Sequence, residues 1–258
     1  MIRATGFGLT DRGLARSHNE DCFEVDLEHE LFVVADGMGG HSHGEVASRV
    51  AVEAIRAFIE HAEDDEATLP FSYDPNLKSH TNVLRAAIRL AHDQVMSAIR
   101  QNGALFGMGT TVVGCLVQEG VAAVAHVGDS RAYRLRNGRL ELLTDDHTWV
   151  NEQVVAGFLS EAQARDHPLK NVVTRALGGE SEVIVDVREV ELQSGDWLLL
   201  CSDGLTTMLD DRAIERLLVR SDSETLPEAC RVLVSEANAR GGLDNVTVVL
   251  VAAEEREA

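Results

Sequence analysis

Apolar and polar positions along this chain fall into two periods. Residues 2–10 (IRATGFGLT) alternate weakly and predict a first strand, and the RGLARSHNED that follows is polar and turn-like. Residues 22–27 and 31–35 predict two strands around EHE, plausible arms of a hairpin. From Gly44 to Ala62 the period lengthens. Val46, Val50, Ala54, Ala57 and Phe58 mark one face of an amphipathic helix, and Leu84, Ile88, Ala91, Val95 and Ile99 mark another between Thr81 and Arg100. Residues 63–80, with Pro70 and Pro75, read as a surface loop inserted between these helices. After Gly109 the chain turns to strands: TTVVGCLVQ and VAAVAHVG around a turn at EG, then AYRLRNGRLELL, a hairpin with Asn137-Gly138 at its tip. Residues 149–165 look helical with a break at Gly157. VIVDVREVEL and DWLLLCSDG predict strands, and Asp211–Val219 and Leu226–Arg240 predict helices. NVTVVLVAA predicts the last strand, before a solvated EEREA tail.

About ten strands, several following one another directly, favour an α+β architecture of stacked, largely antiparallel sheets covered by helices over a doubly wound parallel sheet. No internal repeat or low-complexity segment appears, and the 258 residues read as one domain with room for a sizeable core. With aromatics at only 4%, that core must rest on Val, Leu, Ile and Ala.

Charge narrows the function classes. Lys plus Arg number 23 against 43 Asp plus Glu, a formal net charge of -20. Nucleic acid and anionic membrane surfaces, which need a basic footprint, are disfavoured as partners. An anionic substrate remains possible if a metal ion supplies local positive charge. The four cysteines (Cys22, Cys115, Cys201, Cys230) show no C-x-x-C spacing and read as reduced, buried thiols of a cytoplasmic protein. The first residues lack an apolar signal core, and no apolar stretch approaches the ~18 residues of a membrane span.

Acids recur at strand ends. LFVVADG brings Asp36 to the end of an apolar run; AVAHVGDS does the same with Asp129, and LLLCSDG with Asp203. Asp244 in GGLDNVTVVLV stands just before a strand, as do Glu20 and Asp21. One Asp-Gly after a strand is ordinarily a turn. Four on separate strands would cluster if those ends share an edge, and clustered carboxylates repel unless a cation neutralises them. Oxygen donors alone suit Mg²⁺, Mn²⁺ or Ca²⁺ rather than Zn²⁺. No stretch has the spacing of a Ca²⁺ loop, DGMGGHSHG is not a dinucleotide-binding fingerprint, and no phosphate-loop motif occurs. The tight pair His41 and His43 reads as the polar entry to a helix. A carboxylate-rich edge suits a two-metal centre, with ions ~3.5–4 Å apart, acting on phosphorus. Such a centre needs a cationic side chain for the phosphate oxygens, and Arg16 lies just upstream of Glu20 and Asp21.

RSHNED, VADGMGG, GMGTT, VGDSRAY, LTDDHT, LLLCSDGL and GLDNVTVV, in this order, resemble the metal-dependent protein Ser/Thr phosphatases of the 2C type. The resemblance spans Thr5 to Val251. The stretch WVNEQVVAGFLSEAQARDHPLKNVVTRALGG resembles the bacterial subclass, where it forms a mobile flap beside the active site, here residues 149–180. The resemblance implies an αββα sandwich of two stacked sheets flanked by helix pairs, and two to three Mn²⁺ or Mg²⁺ ions. It implies that Asp36 bridges two ions with the Gly37 carbonyl on one, that Asp203 and Asp244 complete the other, and that Asp129 with Asp203 holds a third. Glu20 and Asp21 would meet metal-bound waters, Arg16 would bind the substrate phosphate, and a metal-bridging hydroxide would attack without a phosphoenzyme. Thr110 would hydrogen-bond a metal ligand.

Asn245 reads as a supporting or turn residue, Arg131 as the partner of an acid, and His147 as structural or flap-positioning. Some eukaryotic members carry a His where this chain has Met38, which cannot donate a proton to the leaving alkoxide. The expected partners are phosphorylated proteins, including a Ser/Thr kinase and its substrates, and the expected state is a monomer. The rivals are a non-catalytic phosphatase-like binding module and a small-molecule phosphomonoesterase.

Overall fold

The computed structural model describes residues 2–39, 43–62, 73–220 and 225–255, the Arg220 side chain excepted. Its strands are β1 (Ile2–Asp11), β2 (Asp21–Asp26), β3 (Leu31–Met38), β4 (Gly109–Thr110), β5 (Val112–Gln118), β6 (Val121–Val127), β7 (Arg131–Arg136), β8 (Arg139–Leu142), β9 (Asp186–Glu191), β10 (Trp197–Cys201) and β11 (Val246–Glu255). Its helices are α1 (His43–Ala62), α2 (Ser79–Gln101), α3 (Trp149–Val155), α4 (Glu161–Arg165), α5 (Asp203–Thr206), α6 (Asp211–Arg220) and α7 (Leu226–Ala239).

One sheet runs β1-β11-β10-β7-β8 and the other β2-β3-β5-β6-β9, with β4 alongside the end of β3. Every strand pairing is antiparallel. Alternation along the strands explains the layering. In β3, Phe32 and Val34 face the other sheet, while Leu31, Val33 and Ala35 face α1 and α2. In β11, Val249, Val251 and Ala253 join that inter-sheet core, while Val246, Val248 and Leu250 pack under α5, α6 and α7. Both faces of the central strands are therefore apolar, which is why they read as unbroken hydrophobic runs. The result is the expected αββα sandwich with a helix pair on each outer face.

The hairpin at Asn137-Gly138 forms as predicted, with φ of 52° and 74° at the two turn residues. Gly157, with φ 78°, ends the helical stretch of α3. Other boundaries moved. The helix expected from Thr81 begins at Ser79. The strand expected through Asp203 stops at Cys201, and Asp203 instead opens α5. The tail expected from Glu254 is strand as far as Glu255, which pairs with Ile2. Cys115, Cys201 and Cys230 are buried free thiols, but Cys22 is only partly buried. Most of the predicted 63–80 loop lies outside the described residues. Among the described residues, no helix is long and apolar enough to cross a membrane.

Candidate metal centre

Antiparallel pairing sets Asp21 directly opposite Asp36, at the ends of β2 and β3. Asp129 follows β6, Asp203 follows β10 and Asp244 precedes β11. These strand ends meet at one edge of the sandwich, so both sheets contribute acids to it. The acids feel one another. Burial, then Asp21, Asp203, Asp129 and Asp244, push the Asp36 carboxyl well above the usual aspartate range. Burial first and Asp203 and Asp244 among the further causes raise Asp21 to about 7. Burial, Asp203 and Asp146 raise Asp129 to about 7. Asp203 is raised by burial and Asp244, against a hydrogen bond with Asp36.

The supports differ from residue to residue. Asp21 Oδ2 accepts from Ser202 Oγ (2.8 Å), just past β10, and from Thr247 Oγ1 (2.6 Å) on β11 of the opposite sheet, while the buried Oδ1 has no partner among the described residues. Asp36 is held by its backbone: its N–H donates to Thr111 Oγ1 (3.2 Å), and its carbonyl accepts from Thr110 Oγ1 (2.8 Å) and the Thr111 N–H (2.9 Å). Gly37 lies within β3, opposite Thr110, so no tight turn explains it. Its reason is close approach: a Cβ there would overlap the Gly44 carbonyl at the start of α1. Met38 ends β3 opposite Gly109. His41 lies outside the described residues, and His43 is the first residue of α1.

Arg16 faces this edge from the loop between β1 and β2. Its Nη2 lies 2.6 Å from Asp244 Oδ2, and Asp36 and Glu20 add to the pull that raises its pKa after that hydrogen bond. Asn245 builds the loop. Its Oδ1 accepts from the Glu20 N–H (2.8 Å), and its Nδ2 donates to the carbonyls of Arg12 and His18, both at 2.9 Å. Arg131 forms a bidentate pair with Asp146, at 2.7 and 2.6 Å, so the pairing expectation held.

The sequence reading missed Ser202 and Thr247. Thr247 interrupts an apolar strand at a fully buried position, and a polar residue in the core pattern was the available signal. Ser202 offered only its place beside Asp203.

Among the described residues, the donors at this edge are all oxygens, four of the carboxyls are raised by burial and by neighbouring acids, and one buried carboxylate oxygen lacks a partner. This donor set fits hard divalent cations.

Comparison with known proteins agrees. The family described as "Protein phosphatase 2C" matches residues 15–236. The chain is 40% identical over 245 residues to the serine/threonine phosphatase stp of Listeria monocytogenes, covering 94% of this chain and 93% of that one. The serine/threonine phosphatase PstP/Ppp of Mycobacterium tuberculosis superposes with TM-score 0.86 at 34% identity, covering 99% of this chain and 100% of that one. A PstP catalytic domain solved in complex with two manganese ions gives TM-score 0.82 at 32% identity, over 99% of this chain and 100% of that one.

Proposed function

Because this chain belongs to the protein phosphatase 2C family, we propose that its carboxylate edge is the metal centre of its Ser/Thr protein phosphatase activity. Asp36, the Gly37 carbonyl, Asp203 and Asp244 would hold two Mn²⁺ or Mg²⁺ ions, and Asp129 with Asp203 a third. Bound cations would neutralise the phosphoryl charge and supply an activated water for in-line attack. Arg16 grips the phosphate oxygens of a phosphoserine or phosphothreonine. Asn245 sets the height of the Arg16 loop above the acids. Asp21, clamped by Ser202 and Thr247, and Glu20 orient water at the edge. Met38 has no proton to give, so the leaving alkoxide takes its proton from water.

The observation that supports this reading most is the convergence of Asp21, Asp36, Asp129 and Asp203, from both sheets, with their carboxyls raised by burial and by neighbouring acids. The test is Mn²⁺-dependent hydrolysis of a phosphothreonine peptide. Asp36→Ala and Asp203→Ala should each abolish it, and unchanged turnover would sink the assignment. Sugar phosphates should turn over far more slowly than the peptide.

The finer features of the reading are a single domain across the chain, a cytoplasmic monomer, and a role opposing a Ser/Thr kinase. Three buried, unpaired thiols support the compartment. Sedimentation tests the oligomeric state, and dephosphorylation of the co-expressed autophosphorylated kinase tests the role.

The 149–180 segment is a flap that selects among phosphoproteins. It carries α3 and α4, and exposes Val155 and Phe158. Its return leg reaches the site, since Leu177 bridges Thr110, which pairs with Gly37.

A further inference from the structure

His147 is 5% exposed and uses all four of its polar atoms. Its N–H donates to the Gly128 carbonyl (3.0 Å), and its Nδ1 accepts from the Gly128 N–H (3.0 Å). Its carbonyl accepts from the Thr174 N–H (2.8 Å), and its Nε2 lies 3.2 Å from Asp186 Oδ2. One residue thus ties together the turn before Asp129, the return leg of the 149–180 segment and the first residue of β9. The His126 ring stacks on it, with centroids 4.6 Å apart.

His126, His147 and Asp186 bring their ligand atoms within 4.8 Å of one another, the outline of a transition-metal cage. Hydrogen bonding argues against a metal there. An imidazole whose Nδ1 accepts the Gly128 N–H must, when neutral, carry its proton on Nε2, and that proton points at Asp186 rather than leaving a lone pair for a metal. A cation is also already in place: Arg175 Nη1 lies 3.3 Å from Asp186 Oδ1 and 3.4 Å from His147 Nε2. The cluster is a hydrogen-bonded strut.

The strut acts on a turn with no slack. Gly128 has φ 109°, and a Cβ there would overlap the Thr111 side chain, whose hydroxyl binds the Asp36 N–H. Both polar backbone atoms of Gly128 are pinned by His147, so the peptide that leads into Asp129 has one orientation.

We propose that His147 is a positioning residue that fixes the Asp129 turn to the foot of the 149–180 segment, so that cation binding at Asp129 and the posture of that segment are coupled. This rests on the reading of Asp129 as a cation ligand. The Nδ1 acceptor transmits order to Asp129, and the Nε2–H to Asp186 transmits it to β9 and the segment's foot.

Two amide variants separate the arms. His147→Asn places an acceptor near Nδ1 and loses the Nε2 arm; His147→Gln places its amide near Nε2 and leaves the Gly128 N–H unpaired. Calorimetric titration with Mn²⁺ reads the Asp129 arm on the full chain, with Asp129→Asn as reference. Asp129→Asn should remove the weakest Mn²⁺ step. His147→Gln should weaken that step about tenfold, in keeping with an unpaired buried donor, and leave the tighter steps alone. His147→Asn should stay within about twofold of the wild type.

Hydrogen exchange reads the other arm. Saturating Mn²⁺ should slow amides 172–177 in the wild type but not in His147→Asn, which lacks the Nε2 arm. If the two amide variants behave alike in both readouts, the coupling role is overturned. If Asp129→Asn removes no Mn²⁺ step, the cation reading of Asp129 fails and the inference falls with it. If Asp129→Asn removes a step that His147→Gln leaves untouched, the inference alone fails. Should either amide variant not fold, Asp186→Ala takes its place, since an Asn there would still accept the Nε2–H. It should leave Mn²⁺ affinity within about twofold and abolish the Mn²⁺-dependent slowing at 172–177; persistent slowing overturns the proposal.

Discussion

Arg16 Nη2 and Asp244 Oδ2 lie 2.6 Å apart, so the side chain proposed to grip substrate phosphate and one proposed to grip a cation hold each other. The guanidinium competes with a divalent ion for the same oxygen and is about half exposed, so the pair is weak enough to exchange. Arg16→Ala should raise KM for a phosphothreonine peptide by roughly 10–100-fold, with a smaller change in kcat. It should also leave Mn²⁺ affinity equal to or tighter than that of the wild type. Steady-state kinetics and calorimetry read the two effects, and weaker Mn²⁺ binding would show that Arg16 supports the acids rather than competing for them.

The pH dependence of stability follows from Asp21 and Asp129, raised by burial first and by neighbouring acids after it, each to about 7. Both carboxyls hold a proton more tightly folded than unfolded. Stability from this source is therefore complete below the ordinary aspartate range and is lost as pH rises through about 7. Chelator-treated protein should melt at a lower temperature near pH 8 than near pH 5.5. Saturating Mn²⁺ should raise Tm more at the higher pH, where the carboxylates are free to bind it. A flat difference between the two pH values, read by calorimetry, would contradict the buried-carboxylate account.

Asn245 donates two hydrogen bonds to the backbone between Arg12 and Glu20 and accepts a third from it. Asn245→Ala should lower stability by about 2–3 kcal/mol, because it removes three part-buried hydrogen bonds. It should also raise KM more than it lowers kcat, since the loop it releases bears Arg16. Thermal melts and peptide kinetics test this together; a stability loss with unchanged KM would confine Asn245 to a structural role.

Replacing residues 157–171 by a short Gly-Ser link spares both anchors of the segment, the Thr148–Val173 and Thr110–Leu177 bridges. Hydrolysis of a small aryl phosphate should then stay within about threefold of the wild type, while the ranking of phosphoprotein substrates changes. Equal loss on both substrate types would count against a role in selection.

How much of this was legible depended on what each residue does alone. Asp36, Asp129, Asp203 and Asp244 announced themselves because an acid beside an apolar run is locally costly, and the cost recurred. Leu31 and Val33 against Phe32 and Val34 could not be sorted into outer and inner faces, because both faces are apolar and alternation carries no contrast. Gly37 looked like a turn glycine, whereas its cause is the backbone of Gly44, seven residues away and on another element. Ser202 and Thr247 depend on partners distant in sequence, which local pattern does not encode; His147 was read as structural or flap-positioning, but its partners Gly128 and Asp186 were equally out of local reach.

The seam between the two layers has a consequence of its own. Asp21 and Asp36 ride on one sheet, Asp203 and Asp244 on the other, and Asp21 is laced across by Ser202 and Thr247. An ion held between them would act as a rivet through the sandwich. Sliding one sheet past the other by a single residue, about 3.4 Å, would pull the donors out of common reach. Catalytic competence is thus a vernier on the alignment of the layers, and core substitutions far from the edge that let the sheets slip should show first as a weaker grip on the ion.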